Sequence, residues 1–151
     1  MKTKQKIQRM KQMMLLICCL LPIFSSCSSD ESSTANFTVR YQEHSPWTID
    51  PAIVETILEY QDQQQLINNS IPITIDHAEL TDEDLRDMSM QACSQAIQNM
   101  KKYDYNQVIR DAGLSVSEPV TLTISYQVGL IGNWGDDIIS YGNILLKIDL
   151  R

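Results

Sequence analysis

Val120-Thr121-Leu122-Thr123-Ile124-Ser125-Tyr126-Gln127-Val128 is the stretch that decides the fold. Large apolar side chains at Val120, Leu122, Ile124, Tyr126 and Val128 alternate with hydroxyls and an amide, the pattern of a strand with one buried and one wet face. The alternation recurs at Ile144, Leu146, Ile148 and Leu150 against Asn143, Lys147 and Asp149. The two segments are expected to pair as an antiparallel hairpin across Gly129–Asp137.

Upstream, Phe37, Val39 and Tyr41 alternate with Thr38, Arg40 and Gln42 until Pro46 breaks the strand. Ile71, Ile73 and Ile75 alternate with Pro72, Thr74 and Asp76, and Pro72 points to an edge or a strand start. Asp50-Pro51 supplies a capping oxygen and a preset φ for a first helix, with Ile53, Val54, Ile57, Leu58 and Tyr60 on one side. The Gln63-Gln64-Gln65 run reads as solvated, and Asn68-Asn69-Ser70 as the helix end. Thr81-Asp82-Glu83-Asp84 resembles a capping box, opening a second helix to about Tyr103 that buries Leu85, Met88, Ala92, Cys93, Ala96, Ile97 and Met100. Asp104 caps a short third helix with Tyr105, Val108, Ile109 and Ala112 inward, closed by Gly113. Four amphipathic strands and two to three one-sided helices predict a two-layer α+β fold, mainly antiparallel, with the helices on one face of the sheet.

The N-terminal segment has a different character. Lys2, Lys4, Lys6, Arg9 and Lys11 precede an apolar run from Met13 to Phe24, which gives way to Ser25, Ser26 and Cys27 and then to Ser28-Ser29-Asp30-Glu31. The run is too short for a membrane-spanning helix, which needs roughly 20 apolar residues, and fits an export signal. Residues 1 to 31 resemble the signal peptide of bacterial lipoproteins. The resemblance implies that residues 1–26 are removed and that Cys27 becomes the lipid-bearing N-terminus, anchoring the protein to the membrane. Phe24 and Ser26 stand where that family usually has Leu and Gly or Ala, which leaves cleavage by the ordinary signal peptidase as the alternative. Ser28 follows the cysteine where Asp would imply inner-membrane retention, so the resemblance implies the outer membrane, with the leaflet open. Residues 27–36 are expected to form a flexible polar tether with a reach of roughly 15 to 20 Å, and residues 37–151 a single domain.

Five of the 12 basic residues precede Cys27 whereas all 19 acidic residues follow it. The remainder therefore sets seven basic against 19 acidic side chains, a balance of −12. Such a balance disfavours nucleic acid, whose binding depends on neutralising phosphates, and favours solubility or attraction to a basic partner. Removal of Cys18 and Cys19 with the signal and lipidation of Cys27 would leave Cys93 alone, so packing without a disulfide must hold the fold.

Candidate sites are few. Cys93 needs a histidine, His44 or His77, beside it to act as a nucleophile, but it stands among Ala92 and Ala96 on an apolar helix side. Asp76, His77, Glu79, Asp82, Glu83, Asp84 and Asp87 supply oxygens for a hard cation without the spacing of a calcium loop, and the two histidines lack zinc spacing. No phosphate loop, serine elbow or basic stripe occurs, so neither a cofactor nor a metal is expected. The loop carrying Ile131 and Trp134 is the candidate partner-binding site, since rigid aromatics anchor interfaces and sugar-stacking sites. Trp47, beside Pro46, is expected to close over the core. The leading expectation is a non-enzymatic, lipid-anchored envelope protein binding a protein or glycan partner as part of a surface complex. The alternatives are an inhibitor or immunity protein against a basic toxin or protease, and a hydrolase with an unrecognised site around His77, Glu79 and Asp82.

Overall fold

Leu122, Ile124, Tyr126 and Val128 are all fully buried, while Thr121 is exposed and Thr123, Ser125 and Gln127 keep part of their surface in water. That alternation belongs to strand β3 (Val120–Ile131) in the computed structural model, which describes residues 31–132 and 138–151. Ser32–Arg151 forms one compact unit. Strands β1 (Ser33–Ser45), β2 (Ser70–Ile75) and β4 (Ile138–Leu150) complete a four-stranded sheet in the order β2-β1-β3-β4, every neighbour antiparallel. Helices α1 (Pro51–Gln63), α2 (Asp82–Met100) and α3 (Tyr105–Asp111) bury their apolar sides in the same core. The fold is α+β, as the patterning predicts.

The core joins Phe37 and Val39 of β1, the four inward residues of β3, and Ile144, Leu146, Ile148 and Leu150 of β4 to Ile53, Ile57, Met88, Met100 and Ile109 of the helices. Phe37, with no exposed surface, would cost about 3–5 kcal/mol to truncate to alanine. Gly142 of β4 passes close over α2, where a methyl group in place of its hydrogen would lie 3.4 Å from Cys93 Sγ. Among the described residues no helix is long and apolar enough to cross a membrane.

Several boundaries differ from the expectations. Strand β1 starts at Ser33, inside the segment expected to be a tether, because Ala35 is buried in the core while Thr34 and Asn36 stay on the wet face. Helix α1 stops at Gln63 rather than at Asn68-Asn69-Ser70. Gln65 turns left-handed (φ 57°), and the N–H groups of Gln65 and Leu66 close back on the carbonyls of Asp62 and Gln61 at 2.9 and 2.8 Å. Ile67 can then enter the core at 4% exposure. Strands β3 and β4 extend into the expected loop, so Gly129, Leu130 and Ile131 are strand residues paired to Ser140, Ile139 and Ile138. A bulge between Val128 and Gly129 leaves Tyr141 unpaired and lets the pairing resume beyond it.

The caps follow the sequence signals. Asp50 accepts from Ala52 N–H at 3.0 Å with Pro51 at the first turn, and Asp104 accepts from the N–H groups of Asn106 and Gln107. Thr81 and Asp84 form a reciprocal capping box. Gly113 (φ 74°) closes α3 as predicted.

Candidate interaction surface

The most exposed aromatic side chain among the described residues that the core does not use is Trp47, at 72%. It was expected to close over the core, and the reason for the difference is local: Ile49, two residues later, takes the core position at 7% exposure. The turn that joins β1 to α1 thus buries Ile49 and presents Trp47 to solvent. The Ser45–Pro46 peptide bond in this turn is cis.

Trp47 does not stand alone. Its ring lies 5.3 Å from that of His44, and the His44 Nδ1 and the Tyr41 hydroxyl share a hydrogen bond of 2.8 Å. Tyr41 faces the fully buried Tyr126 across the β1–β3 pairing, yet is 36% exposed. A bulge between Tyr41 and Glu43 inserts Gln42 at this point and re-aims the strand. Burial and the Glu43 carboxylate push the Tyr41 phenol upward, so it keeps its proton at neutral pH. An open groove of about 170 Å³ lies between His44 and Trp47 on one side and Thr123, Ser125 and Leu145 on the other. A larger hollow, about 440 Å³, lies across the same turn between Ile49 and Ile53 and the segment around Val116. The turn is therefore a wall shared by two depressions, with an indole on one side.

The chemistry of this surface is that of contact. An exposed indole held by a neighbouring ring loses little conformational freedom when covered, and the flanking hydroxyls and the Glu43 carboxylate supply directional hydrogen bonds.

The other candidates fall elsewhere. Trp134 and Cys27 lie outside the described residues, and Ile131 is a half-buried residue of β3. Cys93 is half-buried on α2, and burial pushes its thiol pKa up, which disfavours the thiolate. Neither histidine reaches it: His44 is bonded to Tyr41, and His77 Nε2 lies 3.2 Å from Asp84 Oδ2. His77, Glu79 and Asp82 are all exposed, and the contact His77 makes is with Asp84 rather than with either of them. Asp84 is already engaged by the helix cap, accepting from Thr81 N–H at 2.8 Å and from Thr81 Oγ1 at 2.6 Å. No group of three or more metal-ligating side chains occurs among the described residues.

One buried polar residue is not singled out by the sequence pattern. Gln61 is fully buried on α1, where it accepts from the Tyr126 hydroxyl at 2.7 Å and donates to the Tyr105 hydroxyl at 3.1 Å. Tyr105 in turn donates to the Met100 carbonyl at 2.9 Å. Its signal was spacing, since Gln61 continues the Ile53 and Ile57 row at four-residue steps. Compared with protein-family models, curated proteins and solved structures, the chain matches none.

Proposed function

We propose that this chain is a non-enzymatic, lipid-anchored protein of the bacterial outer membrane, held by acyl groups on Cys27, that binds a protein or glycan partner. The observation that carries the anchor is the order of residues 2 to 31: basic, apolar, small, cysteine, polar. The paired sheet begins at Ser33, with only five residues between it and Cys27, so the tether is short. At full extension it spans about 20 Å. The folded unit would then work close to the bilayer surface, where a partner already in the envelope is the natural ligand.

The contact surface in this reading is the Tyr41, His44 and Trp47 patch, since it offers a held aromatic ring beside hydrogen-bonding groups. A second reading, neutralisation of a basic toxin or protease, draws support from the exposed acidic residues Asp76 and Glu79 before α2 and Asp82, Glu83 and Asp87 in its first turns. Salt distinguishes the two, because attraction between exposed charges fades with ionic strength whereas aromatic stacking persists.

Mass spectrometry of the membrane form tests the anchor. The expected product begins at an acylated Cys27, and Cys27→Ala releases or strands the protein; a chain that keeps Met1 in the envelope overturns it. Affinity capture from envelopes with the intact protein and with Trp47→Ala tests the patch. Loss of the captured partner or glycan from the variant is expected, and an unchanged profile removes Trp47 from the surface.

A further inference from the structure

Strand β4 is an edge of the sheet, and one side chain marks the direction of its outward backbone groups. Asn106 donates from Nδ2 to the carbonyl of Asp149 at 2.9 Å, and its Oδ1 accepts from the N–H of Arg151 at 2.9 Å. These are the bonds that a residue of a neighbouring parallel strand would make, and they mark which backbone groups face outward. Backbone groups alternate in direction along an antiparallel strand, so the N–H and C=O of Lys147, Leu145 and Asn143 point the same way. None of them is bonded by another described residue. The open stretch is bounded by Asn106 at one end and by the bulge at Tyr141 at the other. Its midpoint is Leu145, an apolar side chain 57% exposed.

A stretch open symmetrically about its midpoint suits an antiparallel copy of itself, since a two-fold axis sets each residue against its own mirror position. We infer that β4 pairs with β4 of a second copy of this chain about an axis through Leu145, joining the two sheets into one. Three residue pairs then exchange both backbone bonds: Leu145 with Leu145, and Asn143 with Lys147 twice. No other axis uses all three open residues, since one through Ile144 or Leu146 would pair only two of them. Centring on Lys147 would set two ammonium groups opposite each other and displace Asn106, while centring on Asn143 would drive the bulge into the pairing. Lysine on an edge strand usually guards against such contacts, but in this register it meets an amide. The side chains of Leu145 lie on the sheet face opposite the helices, beside Ser125, where the pair covers apolar surface. The inference does not rest on the lipid anchor or on a ligand for the Trp47 patch, although Leu145 also forms one wall of the groove beside Trp47.

Cysteine cross-linking of the full chain tests the register, because directly opposed residues sit about 5.5 Å apart at Cα, within disulfide range. Under mild oxidation, Leu145→Cys is expected to form a dimer well above the background of the unsubstituted chain, whose own cysteines set the baseline. Asn143→Cys and Lys147→Cys are each expected to stay at that baseline alone and to cross-link when co-expressed. A Leu145→Cys chain at baseline, or equal cross-linking at all three positions, overturns the inference. Leu145→Pro removes an N–H that points away from β3, and should weaken association in sedimentation runs by about tenfold or more with an unchanged circular dichroism spectrum. Undiminished association of that variant also overturns it, and should the variant lose its fold, the cross-linking pattern decides.

Discussion

The hydroxyl of Tyr126 donates to Gln61 Oε1 at 2.7 Å in the interior of the molecule, where both side chains have no exposed surface. Through Gln61 Nε2 the chain of bonds continues to Tyr105 and ends on the carbonyl of Met100. Strand β3, helix α1, helix α3 and the end of α2 are thus tied at one point, and no buried side-chain donor or acceptor among the described residues lacks a partner.

Breaking this chain at one member strands a polar group in the core. Gln61→Leu should destabilise by about 1–3 kcal/mol, read as a lower urea midpoint at unchanged slope. Tyr126→Phe should cost a similar amount, and the double variant should cost clearly less than the two losses added, because the second change removes the orphaned partner. Additive losses would show that the two groups act separately.

The same tyrosines predict an alkaline response. Burial pushes Tyr105 up to about 12, outweighing the lowering by the bond that Gln61 donates to it, and pushes Tyr126 further up. Both phenols are neutral in the folded state at pH values where an unfolded tyrosine, near 10, ionises. The stability they contribute is therefore complete below about pH 10 and lost as pH rises toward 12 and beyond. Absorbance at 295 nm should show Tyr105 and Tyr126, of the six tyrosines, titrating only with unfolding. Smooth ionisation of all six near pH 10 in the folded protein would contradict this.

At the acid end, Asp84 is held well below its ordinary 3.8, at about 2, by the bonds from the Thr81 hydroxyl and backbone N–H and by His77. A lowered carboxyl stabilises the fold above its unfolded value, and this contribution disappears as pH falls through about 2. Nuclear magnetic resonance titration of the Asp84 carboxyl should give a midpoint near 2, and Thr81→Ala should move it upward toward the ordinary range while loosening the start of α2. A wild-type midpoint near 4 would mean that the capping box is open in solution.

Gln65 occupies a left-handed conformation that glycine adopts without cost. Gln65→Gly should therefore stabilise the protein by about 0.5–1 kcal/mol. An equal or larger loss would show that the Gln65 side chain holds the turn itself.

The elements that were legible in the sequence are those whose signal is local and repeated. The alternation at Leu122 to Val128 specified both the strand and its buried face, and Asp50, Thr81, Asp104 and Gly113 marked helix ends because each supplies the group that the backbone lacks there. The rest depended on partners far along the chain. Gln61 reads as one more polar residue until Tyr126 and Tyr105, from β3 and α3, arrive to satisfy it. Trp47 reads as core until Ile49 is seen to fill that place, and the bulge at Gln42 is defined only by the register against β3. The exposed patch was missed for the same reason, since Tyr41 and His44 meet only after that bulge has turned the strand.

The two rims of the sheet are built differently. On β2, a strand of only six residues, Pro72 stands at a position whose backbone points away from β1, so no N–H is offered there. The rim formed by β4 is twice as long and keeps its groups free between the bulge and Asn106. A sheet that is blunt at one rim and receptive at the other can add a single neighbour and then has no receptive rim left. Growth into a fibre is thereby blocked by a proline more than 60 residues from the strand whose reach it limits.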